Sequence, residues 1–172
     1  MNLRIRTENK NDYLGVYEVH KFAFEQTNES ELVENLRMTN EFVPELSILV
    51  ENESKIVGHI LFFPIQVKSN ESSFESLALA PLAVLPKFQK QGIGKKLVFE
   101  GLKRAKNLGF KSVIVLGDPI YYGKFGFEPS VKWQILSPYK VSAEYFMALE
   151  LENRSLENVF GTVVYPKEFD VV

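Results

Sequence analysis

The 172-residue sequence contains no cysteine and only two histidines, His20 and His59. The absence of cysteine excludes disulfide bonds, thiol nucleophiles and cysteine-based zinc sites. Two histidines are too few for a histidine-rich metal centre, and a Ser-His-Asp triad would have to use one of them. We therefore expect no metal site.

Long apolar runs and a large net charge are also missing. No apolar stretch approaches the roughly 20 residues that a membrane-spanning helix needs, and the N-terminus lacks the apolar segment of a signal peptide. The net charge is only −2, so no global basic field attracts nucleic acid or anionic lipid. These features predict a cytoplasmic protein with neither nucleic acid nor membrane as a partner, in which any attraction for anions is local.

The composition that remains is that of an ordinary globular protein. Hydrophobic residues make up 45% and charged residues 24% of the chain, close to average usage. A chain of this length fits one domain with a substantial core, and no repeat, low-complexity tract or linker interrupts it. We predict a single domain over residues 1–172.

Hydrophobic periodicity predicts two early helices followed by an antiparallel meander. Apolar residues recur every three or four positions in both helical segments, and Asn11 is a candidate N-cap for the first. The alternating segments are typical of strands joined by polar turns. In chain order these elements are a strand at Leu3–Arg6, helices at Asn11–Phe24 and Glu29–Thr39, and strands at Glu45–Glu51, Lys55–Val67 and Phe74–Leu85.

The second half of the chain predicts a crossover unit. Gly92–Leu108 has the apolar stripe of a helix, with Gly109 as its C-cap. Ser112–Leu116 is apolar enough for a strand buried on both faces, and strand, helix and strand at this spacing form a parallel or nearly parallel pair. Short strands at Trp133–Leu136, Phe146–Leu151 and Thr162–Tyr165 complete a predicted α/β (α+β) fold.

A glycine-containing turn stands between the meander and the long helix. The unpaired backbone N–H groups and the positive dipole end of a helix start form an anion site, and Gly92 and Gly94 leave the backbone there uncovered. A cation at this position costs about 0.3–1 kcal/mol unless a polyanion binds. Any one lysine near the turn is explained by a side chain that extends into water, but four lysines lie there: Lys87, Lys90, Lys95 and Lys96.

Two other phosphate-binding motifs do not fit this turn. The Rossmann fingerprint needs a third glycine, and Leu97 stands at that position. The P-loop needs Gly-Lys-Ser/Thr after four intervening residues, and no such segment is present.

The segment Gln89-Lys90-Gln91-Gly92-Ile93-Gly94 resembles the Gln/Arg-x-x-Gly-x-Gly/Ala motif of the GNAT acetyltransferases, and like that motif it follows a strand and a proline-containing turn. Nearly the whole chain is similar to the YhbS-like subgroup of predicted acetyltransferases. The matching segments are Val57–Ile60, Leu79–Val84, Leu116–Pro119, Tyr121–Tyr122, Gly126–Phe127 and Gly161–Pro166. The resemblance implies the GNAT fold, a single mixed, mostly antiparallel central sheet with splayed central strands, flanked by helices.

The resemblance also implies acetyl-CoA as co-substrate and direct transfer of the acetyl group to a primary amine in a ternary complex. In the family the pantetheine arm lies along the strand before the turn like an added strand, and Pro81, which lacks an N–H, marks a bulge or edge there. The family's pyrophosphate sits on backbone amides of the turn. The CoA-binding residues implied here are Leu82, Ala83, Val84, Gln89, Lys90, Gln91, Gly92, Ile93, Gly94 and Lys95.

The resemblance implies Tyr122 as the general acid. A leaving thiolate benefits from a proton donor, and in many members a tyrosine four residues before a Gly-Phe pair supplies it, a spacing that Tyr122 holds here. Core packing is the alternative for this residue, and Tyr121 beside it makes the assignment ambiguous. Where many members have an asparagine, this chain has Asp118, which either takes part of that role or caps a short helix begun by Pro119.

The base and the acceptor stay open at this point. A lysine-like amine is protonated at pH 7 and needs a base or a water relay. His59 has a suitable intrinsic pKa but the surroundings of a satisfied core residue, and Glu31 and Glu34 are typical of a solvated helix face. The acceptor, a small molecule or a protein, and the length of the acyl group are not specified, and a homodimer through sheet edges is compatible with the fold.

Two other classes of function use the same features. A non-catalytic acyl-CoA sensor or scaffold would keep the fold and the CoA-binding turn without turnover. A structural partner protein would keep the glycine turn as a plain helix start.

Overall fold

The structure is a computed structural model that describes residues 1–172. The strands are β1 (Leu3–Thr7), β2 (Ser47–Asn52), β3 (Lys55–Lys68), β4 (Ser73–Val84), β5 (Ser112–Leu116), β6 (Glu128–Pro129), β7 (Ile135–Leu136), β8 (Phe146–Glu150) and β9 (Gly161–Val164). The α-helices are α1 (Tyr13–Phe24), α2 (Asn28–Arg37), α3 (Ile93–Asn107) and α4 (Pro119–Gly123). None of these helices has both the length and the apolar character needed to cross a bilayer.

All nine strands belong to one mixed sheet, in the order β1-β2-β3-β4-β5-β8-β6, with β9 pairing to β3 and β7. The pairs β1–β2, β2–β3, β3–β9, β5–β8 and β6–β8 are antiparallel. The pairing of β4 with β5 is parallel and short, at Leu77↔Val113 and Ala78↔Ile114. The predicted mixed, mostly antiparallel sheet with flanking helices is confirmed, and so is the parallel crossover through α3.

The residues group into two compact units. The first consists of Met1–Phe63, Ala80–Arg104 and Lys167–Val172. It contains β1, α1, α2 and β2, and its core is aliphatic and aromatic, with Leu36 and Phe62 fully buried. The second consists of Pro64–Leu79 and Ala105–Pro166. It contains β5, α4 and β6 to β9 around a core built from every residue of β5 except Leu116, which is half exposed.

Helix α3 lies close to β3 because two small residues permit it. A Cβ built on Gly58 of β3 would stand 3.2 Å from both Ile93 Cγ2 and Leu97 Cδ1, in the first two turns of α3. On the helix itself, a Cβ at Gly101 would overlap the ring of the buried Phe62. Glycine at these two positions therefore sets how near α3 comes to the strand, since packed interiors leave no room for an extra methyl group.

The strand predicted over Trp133–Leu136 is confirmed only at Ile135–Leu136. Ser130–Trp133 forms a 3-10 helix, Gln134 is left-handed with φ of 62°, and only Ile135 and Leu136 remain extended as β7. The Ser130 hydroxyl donates to the Ile135 carbonyl at 2.7 Å and closes this turn. Such a side-chain bond competes with a strand ladder and leaves no periodic trace in the sequence.

The N-cap assignment at Asn11 is wrong. A 3-10 turn, Lys10–Asp12, precedes α1, and the side chain of Asn9 accepts the Asn11 N–H at 2.9 Å. Asn9 therefore caps the 3-10 turn, whereas Asp12 holds the N-cap position of α1, without a side-chain cap bond, and α1 begins at Tyr13. The C-cap prediction at Gly109 is confirmed, because this residue is left-handed with φ of 93° and its N–H donates to Lys106 O at 3.0 Å.

Candidate active site

The corner between β4 and α3 contains consecutive backbone N–H groups that are not hydrogen-bonded within the protein. β4 ends at Val84, a single 3-10 turn covers Pro86–Phe88, and α3 begins at Ile93. The N–H groups of residues 90–95 donate to no acceptor in the protein. The Lys96 N–H, which donates to Gly92 O at 3.1 Å, opens the helical ladder. An anion placed at this corner would meet several amides at once.

The backbone of the turn is curved by two left-handed residues. Lys90 has φ of 61° and Gly92 has φ of 84°. A Cβ on Gly92 would meet nothing within 4 Å, so the outer side of the turn is open. Left-handed residues in a turn arrange successive N–H groups into a concave anion-binding surface. The glycine is needed for the conformation, because a non-glycine residue pays a steric penalty there.

Two glutamine side chains form hydrogen bonds with backbone carbonyls of the turn. Gln89 Nε2 donates to Val84 O and Gln91 Nε2 donates to Lys87 O, each at 3.0 Å. The side-chain amides are therefore occupied by turn carbonyls. The Gln89 N–H donates to Pro86 O at 3.3 Å, so of these two residues only Gln91 offers a free backbone N–H to a ligand. The sequence pattern alone did not distinguish between these roles.

Positive charge at the corner is uncompensated. No acidic residue lies in the first turn of α3, and none of the four lysines forms an ion pair with a carboxylate. All four side chains are exposed: Lys87, Lys90, Lys95 and Lys96. Cations beside a helix N-terminus repel its dipole, so a bound polyanion would relieve this repulsion.

The strand residues implied for the pantetheine arm lie at the end of β4. Ala83 and Val84 have buried side chains, and Leu82 is half-buried. The parallel register with β5 involves Leu77 and Ala78, so Leu82 is four positions further along the strand. Next to this stretch, the Leu85 N–H donates to Val57 O at 2.8 Å and ties the strand end to β3.

Tyr122 lies on α4 in the second unit, with its ring packed and its hydroxyl free. The ring centroids of Tyr121 and Phe127 are 5.0 and 5.7 Å away. The Tyr122 hydroxyl forms no hydrogen bond within the protein. It is not among the buried polar atoms that lack a partner, a group whose one member is His20 Nδ1, so the hydroxyl is accessible to solvent. Burial, and then the neighbouring Tyr121, raises the pKa of the Tyr122 phenol well above 10. At pH 7 this group is a proton donor.

Asp118 is the N-cap of α4. Its Oδ1 accepts the Ile120 N–H at 2.9 Å, and Pro119 occupies the first helical position. The carbonyl of Asp118 accepts the Tyr122 N–H at 2.9 Å. The capping interpretation is therefore confirmed.

His59 is a core residue in the first unit. Its side chain is inaccessible to solvent, its Nδ1 pairs with His20 Nε2, and its Nε2 pairs with Ser47 Oγ, both at 2.8 Å. Burial, and then the charge of Arg37, lowers the pKa of His59 from 6.5 to about 3. With both nitrogens occupied and no access to solvent, it cannot take a proton from an acceptor amine.

The other two base candidates, Glu31 and Glu34, are exposed on α2. Glu31 accepts a hydrogen bond from Thr27 Oγ1 at 3.0 Å. The structure thus places them on a solvated helix face. No cluster of three or more histidine, aspartate or glutamate side chains suited to a metal ion is present.

A buried polar network beside His59 was not anticipated from the sequence. Glu8 and Arg37 form a bidentate pair at 2.9 and 2.8 Å with side chains only 3% and 5% exposed. Cζ of Arg37 lies 3.9 Å from the ring centroid of Tyr13, and Glu8 Oε2 is 3.7 Å from His59 Nε2. The one signal in the sequence for this buried network was the presence of two histidines, His20 and His59, in a chain that has no others.

The chain belongs to the GNAT acetyltransferases: the profile of the Acetyltransferase (GNAT) family matches residues 13–127. Among individual relatives, the chain is 30% identical over 166 residues to the uncharacterized N-acetyltransferase YhbS of Escherichia coli K12, covering 96% of this chain and 98% of YhbS. It is 39% identical over 120 residues to the uncharacterized N-acetyltransferase YjhQ of the same strain, covering 70% of this chain and 66% of YjhQ.

Solved structures give the same fold. The crystal structure of Escherichia coli YhbS in complex with CoA superimposes with a TM-score of 0.91 at 29% identity, covering 99% of this chain and 93% of YhbS. A GNAT family acetyltransferase from Brucella melitensis in complex with acetyl-CoA has a TM-score of 0.81 at 29% identity, covering 98% and 99% of the two chains. The predicted GNAT fold and the resemblance to the YhbS-like subgroup are both confirmed.

Proposed function

We propose that this chain transfers an acetyl group from acetyl-CoA to a primary amine, with residues 1–172 acting as one N-acetyltransferase domain. The observation that carries the proposal is the row of backbone N–H groups at residues 90–95, which have no acceptor in the protein and stand beside four uncompensated lysines. Membership in the GNAT family, and the CoA and acetyl-CoA complexes of the two similar structures, support it.

The corner is suited to a diphosphate rather than to a single charge. Several amides across one turn have no acceptor in the protein, a Cβ on Gly92 would meet nothing within 4 Å, and the side chains of Gln89 and Gln91 donate to turn carbonyls. In the proposal the amides of Lys90 to Lys95 bind the pyrophosphate of CoA. In the same proposal the main chain of Leu82, Ala83 and Val84 binds the amides of the pantetheine arm as an added strand.

Acetyl-CoA supplies an activated thioester, and the residues of the chain position it and move one proton. As the acceptor nitrogen forms a bond to the acetyl carbon and the carbon–sulfur bond breaks, Tyr122 donates the phenolic proton to the leaving sulfur, and the phenolate then regains a proton from water. A raised pKa keeps this phenol protonated at neutral pH. The proton lost by the amine passes to water or to an exposed carboxylate such as Glu31 or Glu34, since His59 is enclosed in the core.

Two measurements test the proposal. Calorimetric titration with CoA tests the corner, and failure to bind at millimolar CoA would favour a plain helix start and contradict the proposal. An acetyl-CoA consumption assay that detects free thiol, run against a panel of peptides, polyamines, aminoglycosides and small amines, tests the reaction. CoA binding without turnover on any amine would favour the acyl-CoA sensor instead.

A further inference from the structure

Gly117, the residue that follows β5, lies directly under the ring of Tyr122. A Cβ built on Gly117 would overlap Cε2 of that ring and come within 2.8 Å of its Cδ2. The left-handed glycines of the chain are Gly92, Gly109, Gly126 and Gly161, and Gly117 is not one of them. Its backbone conformation is thus open to any residue, and the feature that requires glycine at position 117 is the ring above it.

Hydrogen bonds restrain the backbone at Gly117 and at the residue that follows it. The last register pair of β5 with β8 is Leu116↔Phe146, and the Gly117 N–H continues the pairing by donating to Tyr145 O at 2.9 Å. On the other side, the Asp118 carbonyl accepts the Tyr122 N–H at 2.9 Å. The first bond ties Gly117 to Tyr145, and the second ties the backbone of Tyr122 to Asp118, the residue next to Gly117.

Three aromatic rings pack against the ring of Tyr122, which is partly exposed. Tyr121 lies perpendicular to it, with an interplanar angle of 90° and centroids 5.0 Å apart. Phe127, which is buried, packs at 5.7 Å and 77°. Phe125 is tilted at 6.4 Å. A methyl group at position 117 would therefore displace the ring as a whole, and the hydroxyl with it.

We propose that Gly117 is a positioning residue for Tyr122: the missing side chain lets the phenol ring lie on the backbone at the end of β5, which fixes where the hydroxyl stands. The effect on catalysis rests on the proposed function, in which this hydroxyl protonates the leaving sulfur. The effect on the ring does not depend on it. Asp118 contributes by capping the helix turn that carries Tyr122.

The test is a double-mutant cycle in the full chain with Gly117→Ala, Tyr122→Ala and the double variant. We expect Gly117→Ala to lower the Tm by about 3–10 °C with Tyr122 present, and to cause no further loss in the Tyr122→Ala background. Equal losses in both backgrounds would overturn the proposal. If Gly117→Ala does not fold, recovery of folding in the double variant supports it and failure of the double variant overturns it.

Gly123→Ala is the matched control. Gly123 ends the same short helix, its φ is not left-handed, and a Cβ there would meet nothing within 4 Å. We expect this variant to match the wild type in Tm and in turnover. A loss as large as that of Gly117→Ala would mean that any change in this helix is damaging, which would contradict the specific role of Gly117.

Two further measurements separate positioning from plain stability. In Gly117→Ala, the phenol of Tyr122, followed by NMR of carbon-labelled tyrosine, should titrate at a lower pH than in the wild type, because a displaced ring is less buried; an unchanged titration would overturn the proposal. With an accepted amine, Gly117→Ala should lower kcat on the order of 10²-fold at constant KM for acetyl-CoA, and should add nothing to Tyr122→Phe. A normal rate for Tyr122→Phe would refute the acid role alone, and the stability cycle and the titration would still decide on Gly117.

Discussion

Nε2 of His20 and Nδ1 of His59 lie 2.8 Å apart in the first unit, where neither side chain is accessible to solvent. Burial, and then the neighbouring His59, lowers the pKa of His20 well below 6.5, and burial followed by the charge of Arg37 lowers that of His59 to about 3. Both imidazoles are therefore neutral in the folded protein at neutral pH.

This pair predicts loss of stability in acid. Below about pH 6.5 the unfolded chain binds protons at both histidines that the folded chain does not bind, so the free energy of unfolding falls as the pH drops toward 3. Each histidine contributes a slope of at most about 1.4 kcal/mol per pH unit. Urea unfolding between pH 4.5 and 6.5 measures the slope. His20→Gln, which keeps hydrogen-bonding groups but does not titrate, should reduce it by about one histidine's share, and an unchanged slope would contradict the prediction.

Gly92→Ala should weaken CoA binding, whereas Gly109→Ala should not. Both glycines are left-handed, flank α3 and have open space at the Cβ position, so each substitution should cost about 1–2 kcal/mol of stability through the backbone. Only Gly92 belongs to the proposed pyrophosphate turn. We expect the Kd for CoA, measured by calorimetry, to rise about tenfold or more for Gly92→Ala. Equal Kd values for the two variants would argue against the turn as the CoA site.

Tyr122→Phe should slow acetyl transfer on the order of 10²-fold or more while CoA affinity stays unchanged, since only the proton donor is lost. The thiol-release assay measures the rate, and calorimetry the affinity. Tyr121→Phe is the control, because it removes a hydroxyl from the adjacent ring. If Tyr122→Phe keeps the wild-type rate and Tyr121→Phe is slow, Tyr121 is the general acid. If both variants keep the wild-type rate, neither tyrosine is the general acid.

Arg37→Met should destabilise the protein by about 3–5 kcal/mol, because it leaves the Glu8 carboxylate buried without its partner. The two side chains are only 5% and 3% exposed. In Lys111–Glu152, a pair of similar length with side chains 55% and 52% exposed, Lys111→Met should change stability by less than about 1 kcal/mol. Chemical denaturation of both variants tests the comparison, and similar losses would show that burial does not govern the Glu8 pair.

Much of the element order could be predicted because it depends on local pattern. The apolar stripe of α3, its C-cap at Gly109 and the apolar run of β5 each lie within a few turns of chain, where periodicity and cap residues act directly. The first half of the strand predicted over Trp133–Leu136 is not extended, because the Ser130 hydroxyl and the left-handed Gln134 form a side-chain turn that a hydrophobic pattern does not encode. The two-residue strand β6 is too short to produce any pattern.

The sequence by itself determined the family, the glycine corner and the identity of the residues proposed to bind CoA, because a strand, a turn and a helix start are contiguous and their backbone chemistry follows from their residue types. Only the tertiary structure decided that His59 is a neutral core residue hydrogen-bonded to His20, a partner 39 positions away. It likewise decided that the missing side chain of Gly117 accommodates the Tyr122 ring. Both outcomes depend on which surfaces meet when distant elements pack, and no local pattern carries that information.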